Sequence, residues 1–251
     1  SIPMTNMVEL GVNSVNCHFE GCLFADSVAN PAANMRINAL LYSGYANGLV
    51  VDGCTFVGGK TGVDLRGQAS DMLSNNNSVK RSLFENQYEY AVYVSNQNNV
   101  VVEKNEMYDV MTNTNYVLML NECRGASRVM SNKIYTSHGA GAIGLNSVIG
   151  TSTTHILVAN NMIVCNDDGN ANLMRTPLNV ITANWTDVVY NSVKMTAPQR
   201  NNTATATFGG GTLQNSRFMD NIVVCLDNNN YANIYMPGSS TTNTVDYNVY
   251  Y

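Results

Sequence analysis

The chain has 251 residues, of which 45% are hydrophobic and only 12% are charged, and its formal net charge is −5. The Lys and Arg residues form no basic run that could neutralise phosphates, so the sequence predicts no binding to nucleic acid. No apolar stretch approaches the ~18 residues of a membrane span, and we expect none. Asn, Ser, Thr and Gly supply most of the polarity instead.

A short motif recurs along the whole chain at intervals of roughly 23 to 32 residues. In each copy a small polar residue lies three positions after one apolar residue and two positions before another, as in Val100-x-Val102-x-x-Asn105-x-Met107. The repeated polar residues are Cys22, Cys54, Ser82, Asn105, Asn132, Asn161, Asn191, Asn221 and Asn248. A fixed period of this length predicts a repeat architecture, in which stacked units form one continuous domain.

A second apolar alternation lies between successive motifs, for example Val63-x-Leu65, Val92-x-Val94 and Ile143-x-Leu145. Alternation predicts a strand with one buried face, and Gly, Asn or Asp after most of these runs predicts turns. Each repeat is therefore predicted to contain two short strands, joined by a turn and closed by a loop into one coil. Such a coil buries its apolar face only when strands stack in parallel on those of its neighbours, about 4.8 Å apart.

This pattern resembles the right-handed parallel β-helix proteins of the pectate-lyase-like superfamily over nearly the whole chain. We therefore expect an all-β, right-handed parallel β-helix of about nine coils in a single domain, 1–251. The ladder Asn residues should lie at a bend, with inward amides hydrogen-bonded to those of adjacent coils. The resemblance implies an extracellular protein that processes or binds a polysaccharide, most often an acidic one.

The chain ends and the longest insertion carry further expectations. Ser1 follows no secretory leader and Tyr251 comes soon after the last motif, so we expect a segment of a longer chain or precursor.

Residues 166–178 are expected to form a loop insertion. Asp167 and Asp168 begin it and are the local candidates for calcium, but they are too few for the roughly six to eight oxygens that calcium takes. We therefore predict neither a metal nor a cofactor.

The six cysteines allow two interpretations. Cys22 and Cys54 occupy ladder positions, and Cys165 and Cys225 each lie four residues after a ladder Asn, so most are expected to be unpaired thiols in interior stacks. The alternative is a disulfide. Cys22–Cys54 is then the best-placed pair, because adjacent coils would bring the two residues close.

Outward side chains of successive coils form a column, and the column on the second strand is the candidate site. Asp64 and Arg66 point out together, and Tyr93 takes the matching place one coil on. Aromatic faces with fixed polar groups suit a sugar-binding groove, and arginine suits a uronate carboxylate. The alternative is an exposed ion pair of little value. An enzyme would be a polysaccharide lyase or a glycoside hydrolase, with catalytic candidates Asp64, Glu122 and His138 and substrate-binding candidates Arg66, Tyr93, Arg124 and Asn146.

Two further arguments concern catalysis. Asp64 and Glu122 fall two coils apart, roughly 9–10 Å, at the upper edge of the ~6.5–9.5 Å that separates the carboxylates of an inverting glycosidase. The strings Ser137-His138-Gly139-Ala140-Gly141-Ala142-Ile143-Gly144 and Asn166-Asp167-Asp168-Gly169 are similar to two segments of the polygalacturonases. In that family the paired aspartates come first and an Arg-x-Lys follows, whereas here the aspartates come after the His-Gly segment and no Arg-x-Lys lies downstream. The resemblance implies a catalytic His138; otherwise His138 is a turn residue that caps a strand.

The outward positions of the first strand change character along the chain. Early coils predict cross-strand pairs of Lys80 with Glu103 and of Glu106 with Lys133. Later coils carry apolar residues there: Met130, Leu157, Ala159, Met162, Val189, Met219, Ile222 and Val249. An apolar stripe should be covered, either by the chain's own loops or by another chain. In the second case we expect a homo-oligomer through Met162, Val189, Met219 and Ile222, and the alternative function is a non-catalytic fibre segment, as in a viral tailspike or a surface adhesin.

Overall fold

The computed structural model describes residues 6–26, 37–69, 71–108, 110, 116–137, 141–166, 176–196, 206–226, 232–235, 238–239 and 242–250. Within these ranges the chain forms short β-strands and contains no helix.

The strands follow one another in a regular order along the chain. The first sixteen are β1 (Val8–Leu10), β2 (His18–Glu20), β3 (Leu23–Ala25), β4 (Ala39–Ser43), β5 (Val50–Asp52), β6 (Thr55–Val57), β7 (Thr61–Arg66), β8 (Ser74–Asn75), β9 (Ser78–Lys80), β10 (Leu83–Glu85), β11 (Tyr90–Ser95), β12 (Gln97–Asn98), β13 (Val101–Glu103), β14 (Glu106–Tyr108), β15 (Tyr116–Asn121) and β16 (Arg128–Met130). The remaining fifteen are β17 (Lys133–Thr136), β18 (Gly141–Asn146), β19 (Val148–Ile149), β20 (Ile156–Ala159), β21 (Met162–Cys165), β22 (Leu178–Asn184), β23 (Thr186–Val189), β24 (Ser192–Met195), β25 (Ala206–Gln214), β26 (Arg217–Met219), β27 (Ile222–Cys225), β28 (Ala232–Tyr235), β29 (Gly238–Ser239), β30 (Thr244–Asp246) and β31 (Val249–Tyr250).

These strands form a parallel β-solenoid, as the repeat predicted. The chain visits three long sheets in turn: the first sheet runs β1-β4-β7-β11-β15-β18-β22-β25-β28, the second β2-β5-β9-β13-β16-β20-β23-β26-β30, and the third β3-β6-β10-β14-β17-β21-β24-β27-β31. Short strands extend the first sheet at β19 and β29, and β8 pairs with β12. All of the strand pairs are parallel.

The predicted first strand of each coil is in fact two strands, which belong to the second and third sheets. A residue with positive φ precedes each ladder residue and turns the chain sharply between them, as at Lys104 (φ 57°) and Tyr190 (φ 59°). Most side chains avoid this left-handed conformation, so its repetition at one corner indicates that the surrounding hydrogen bonds impose it. The predicted second strand is the strand of the first sheet.

A buried asparagine ladder joins the coils at this corner, as predicted. The Nδ2 of Asn132 donates to Oδ1 of Asn161 at 3.0 Å, and the same bond recurs at 2.9 to 3.0 Å in the ladder from Asn105 to Asn248. The same Oδ1 of Asn161 also accepts the backbone N–H of Asn132 at 3.0 Å. Since Asn132 and Asn161 are at most 1% exposed, the ladder satisfies polar groups that would otherwise be buried without partners.

The interior between the three sheets is apolar. Phe24, Phe56 and Phe84 stack in successive coils, with ring centroids 4.7 and 4.8 Å apart and nearly parallel planes. Toward this end of the chain the ladder passes to Ser82, whose hydroxyl accepts the backbone N–H of Cys54 at 3.1 Å. All six cysteines are free thiols, including Cys22 and Cys54. Burial raises the pKa of the Cys54 thiol, which keeps it protonated as an interior side chain.

The outer surface of the second and third sheets carries the predicted ion pairs. Nζ of Lys80 lies 3.7 Å from Oε1 of Glu103, and Nζ of Lys133 lies 2.7 Å from Oε1 of Glu106. Each pair joins residues that are aligned on adjacent strands. These contacts confirm the register that the period predicted.

The apolar stripe divides into two rows on different sheets. In the second sheet Met130, Val189 and Met219 are half-buried and Ala159 is 3% exposed. In the third sheet Met162, Ile222 and Val249 are 51%, 46% and 43% exposed and are aligned through Ser192 of β24. The exposed part of the stripe therefore lies on the third sheet.

We expect Asn161→Ala to lower the free energy of unfolding by roughly 3 kcal/mol, because two donors of Asn132 lose their acceptor inside the stack. Urea unfolding followed by circular dichroism measures this change. Ser192→Ala is the control, since this exposed side chain neighbours the ladder and its loss should change stability by no more than about 0.5 kcal/mol. Equal effects of the two substitutions would contradict the stabilising role of the ladder.

Candidate functional site: a tyrosine face on the first sheet

Tyrosines surround one ion pair on the outward side of the first sheet, and we call Tyr42, Asp64, Arg66, Tyr90 and Tyr93 the tyrosine face. Strand register aligns Tyr42 with Asp64 on one side and Tyr93 with Asp64 on the other. The residues that flank Asp64 in β7 are buried in the core. Strand alternation therefore turns the Asp64 side chain outward, between the two aligned tyrosines.

Asp64 and Arg66, which the sequence assigned to different roles, bind each other. Nε of Arg66 donates to Oδ1 of Asp64 at 2.9 Å, and Nη2 donates to Oδ2 at 3.0 Å. Asp64 is only 3% exposed, whereas half of the Arg66 side chain is exposed. The pair thus differs from the exposed pair that sequence reasoning weighed as the alternative. Within the described chain no hydrogen bond uses Nη1 of Arg66.

The electrostatics of the pair follow from this unequal burial. Burial raises the pKa of Asp64 and outweighs the hydrogen bond and the charge of Arg66, which act in the opposite direction. Glu89 adds a smaller upward contribution and is itself paired with Lys60, at 3.0 Å. The two hydrogen bonds to the carboxylate fix the position of the guanidinium, although burial opposes the charge of Asp64.

Two tyrosine rings complete the fixed surface around Arg66. The guanidinium carbon lies 5.1 Å from the centroid of the Tyr93 ring, a cation–π distance. The Tyr90 and Tyr93 rings are 5.0 Å apart and tilted by 57°. Tyr90 is the first residue of β11. Burial, chiefly, raises the pKa of Tyr90 to about 12, so its hydroxyl keeps its proton at neutral pH.

The face continues onto later coils through residues that sequence reasoning missed. Nδ2 of Asn179 donates to the hydroxyl of Tyr116 at 2.5 Å. The Tyr116 ring lies against Gly144, where a β-carbon would come within 2.5 Å of the ring. The sequence signal for this contact is Gly144 itself, which occupies an outward position of its strand where a side chain would be expected. Because Gly144 has no side chain, the Tyr116 ring of the preceding coil fits against it.

The other described candidates lie away from Asp64. Glu122 follows β15 in a left-handed turn, three residues after Met119, which occupies the row of Asp64 and Tyr93. This offset adds to the two-coil step, so the backbone positions of Asp64 and Glu122 are farther apart than the two coil spacings that the repeat alone predicts. Arg124 is exposed beyond this turn.

Asn146 and the remaining candidates have other positions. Nδ2 of Asn146 donates to Oδ1 of Asn121 at 2.8 Å, so this residue belongs to a short second ladder at the end of the first sheet. His138 lies outside the described residues, as does the part of the loop insertion that contains Asp167 and Asp168. In the described ranges no three His, Cys, Asp or Glu side chains are grouped as a metal site would require. The same ranges include no helix with the length and apolarity needed to cross a membrane.

Comparison with known proteins adds no family to this description. No model of a protein family matches the sequence, and neither the curated proteins nor the solved structures include a match. The fold and the geometry of the tyrosine face are therefore the basis of the functional argument.

We expect the stability advantage of the native protein over Asp64→Asn to shrink as the pH rises. The pKa of Asp64 is higher in the folded than in the unfolded chain, so its stabilising contribution is fully present below the unfolded value of about 3.9 and declines as the pH passes the folded value. Urea unfolding at about pH 3 and about pH 7 measures both proteins side by side, which cancels the titration of the other groups. A stability advantage of the native protein that grows with pH would contradict the higher pKa of Asp64 in the folded chain.

Proposed function

We propose that the tyrosine face binds an acidic polysaccharide outside the cell. The observation that carries this proposal is the position of the Arg66 guanidinium, which is hydrogen-bonded to the buried carboxylate of Asp64 and lies beside the ring of Tyr93. Rigid aromatic rings stack on the apolar faces of sugars, and a fixed guanidinium donates hydrogen bonds to carboxylate or hydroxyl oxygens. The extracellular location rests on the resemblance of the repeat to secreted β-helix proteins.

The dimensions of the surface support a chain-like ligand. The face and its extension run from Tyr42 in β4 to Asn179 in β22, which are five steps apart in the first sheet. Five steps of about 4.8 Å correspond to roughly 24 Å along the solenoid axis. A polysaccharide lying along this axis would cross the tyrosines and Arg66 in succession.

The same geometry favours binding over bond cleavage. Both oxygens of Asp64 accept hydrogen bonds from Arg66, so this carboxylate has a partner already and is little exposed to a substrate. Glu122, the other acid proposed for catalysis, is displaced along the strand direction. A general acid must lie within hydrogen-bond reach of the atom it protonates. We therefore assign Asp64 the role of positioning Arg66.

We expect Arg66→Gln to weaken the binding of polygalacturonate at least tenfold, about 1.4 kcal/mol, with Tyr93→Ala acting in the same direction. Isothermal titration calorimetry measures the affinity, with the neutral oligosaccharide cellohexaose as the comparison ligand. Arg81→Gln is the matched control, because Arg81 also binds an aspartate, Asp52, through Nε and Nη2 but belongs to the corner between the second and third sheets. Unchanged affinity in Arg66→Gln, or an equal loss in Arg81→Gln, would exclude the tyrosine face as the binding site.

A second candidate function is supported by the exposed apolar row on the third sheet. Met162, Ile222 and Val249 are about half exposed on aligned strands. An exposed apolar row of this kind, interrupted only by Ser192 between Met162 and Ile222, suits contact with another chain, as in a fibre segment. We propose self-association through this row as the alternative to glycan binding.

For this alternative we expect the native chain to form oligomers and Ile222→Glu to reduce them to monomers, because a charge would have to be buried at the contact. Sedimentation equilibrium at about 100 µM measures the mass. Leu23→Glu is the control, since Leu23 is 69% exposed at the far end of the same sheet. A native chain that remains monomeric at this concentration would rule out the alternative.

A further inference from the structure

A second cluster of charged and aromatic side chains lies where the first sheet turns into the second, on β20, β23 and β26 and the residues before them. Its centre is Asp187, which is only 6% exposed. Oδ1 of Asp187 accepts from Nε of Arg217 at 2.7 Å and lies 2.9 Å from Nδ1 of His155, and Oδ2 accepts from Nη2 of Arg217. Trp185 packs against this group, with its ring centroid 5.4 Å from that of His155.

The hydrogen bonds to Asp187 determine what His155 can offer to a ligand. Burial would raise the pKa of Asp187, but the bonds from Arg217 and His155 outweigh burial and lower it, so the carboxylate is charged and acts only as an acceptor. Nδ1 of His155 therefore carries the proton, and a neutral imidazole has its lone pair at Nε2. No hydrogen bond within the described ranges uses this Nε2, and 21% of the side chain is exposed.

Trp185 has an unusual backbone conformation for so large a residue. Its φ is 52°, and the other positive-φ positions at this corner include Asn76, Asn99 and Asn215. Asparagine tolerates the left-handed region, whereas a bulky side chain there is an outlier. Backbone hydrogen bonds to Gln214 and Ile156 of the adjacent coils hold Trp185 in this conformation and so fix the position of the indole.

A groove with a mostly apolar surface and several hydroxyl and amide groups lies on the first sheet, close in the chain to this cluster. It has a volume of about 240 Å³ and crosses three successive coils, with lining side chains that include Ser147, Ile149, Thr182, Asn184, Thr212 and Gln214. Asn184 directly precedes Trp185 in the chain. A few hydroxyl and amide groups set in an apolar surface suit a sugar, which combines apolar ring faces with hydroxyl groups.

We propose that this corner is a separate sugar-binding subsite, in which Trp185 stacks on the ring of one sugar, His155 Nε2 accepts a hydrogen bond from a sugar hydroxyl and Arg217 donates hydrogen bonds to a carboxylate. This assignment deepens the proposed function, since it rests on an acidic polysaccharide as the ligand. Half of the Arg217 side chain is exposed, and within the described chain no hydrogen bond uses its Nη1. Trp185 lies four coils from Arg66, roughly 19 Å along the axis, so one sugar cannot contact both.

Trp185 is the only tryptophan of the chain, so its fluorescence reports this subsite directly. We expect hexagalacturonate to shift the emission in a saturable manner, cellohexaose to act more weakly, and His155→Ala to bind hexagalacturonate at least tenfold more weakly by this readout. Arg66→Gln should retain the emission change while losing affinity in calorimetry, because the tyrosine face lies elsewhere. Arg81→Gln is again the control and should behave as the native chain.

The outcomes separate the two proposals. A native chain that binds hexagalacturonate in calorimetry without any change in tryptophan emission would overturn the subsite and leave the tyrosine face standing. An emission change with unaltered calorimetry in Arg66→Gln would overturn the tyrosine face alone. The native titration needs no substitution, so a folding defect in His155→Ala would still leave the subsite open to refutation.

Discussion

The hydrogen bonds between equivalent positions of successive coils are the constraint on which the rest of the molecule depends. From Asn132 to Asn248 each ladder amide receives two donors from the preceding coil, one from the side chain and one from the backbone, as Asn161 does from Asn132. These bonds hold the adjacent turn in a conformation that its left-handed residue does not favour by itself. Because they also fix the register of every coil on the next, outward side chains fall into rows. The tyrosine face contains one such row, and the ladder that aligns the coils fixes the positions of its side chains.

The repeat made the stacking of the coils predictable, but not the path of the chain inside each coil. The nine polar positions identified the ladder, and the pairing of Lys80 with Glu103 followed from the period alone. The division of the first strand did not follow, because the left-handed residues at the corner include Lys104 and Tyr190, which carry no turn signal in sequence. Their conformation is imposed by the ladder bonds, and such bonds become visible only when neighbouring coils are in place.

The sequence predicted the central residues of the candidate site, but not how deeply each of them is buried. Asp64, Arg66 and Tyr93 share a flank because strand alternation and coil stacking place them there. That Asp64 is buried depends on the aligned tyrosines of the two neighbouring coils, including Tyr42, which sequence reasoning did not identify. The position of Glu122 relative to Asp64 was only partly predictable, since counting coils gives the step along the axis but not the offset along the strand. Loops of variable length set that offset.

Three aspartate–arginine pairs share one geometry, and their differences indicate which of them have a role beyond stability. In each, Nε and Nη2 of the arginine bind the two oxygens of the aspartate: Asp64 with Arg66, Asp187 with Arg217, and Asp52 with Arg81. A pair of this kind on the surface contributes little stability by itself. Only the first two have an aromatic ring in the same cluster, at Tyr93 and Trp185. At Arg66 the buried carboxylate orients a half-exposed guanidinium beside the Tyr93 ring. At Arg217 it orients a guanidinium likewise, and the aromatic ring, Trp185, packs against His155, the second partner of the same carboxylate.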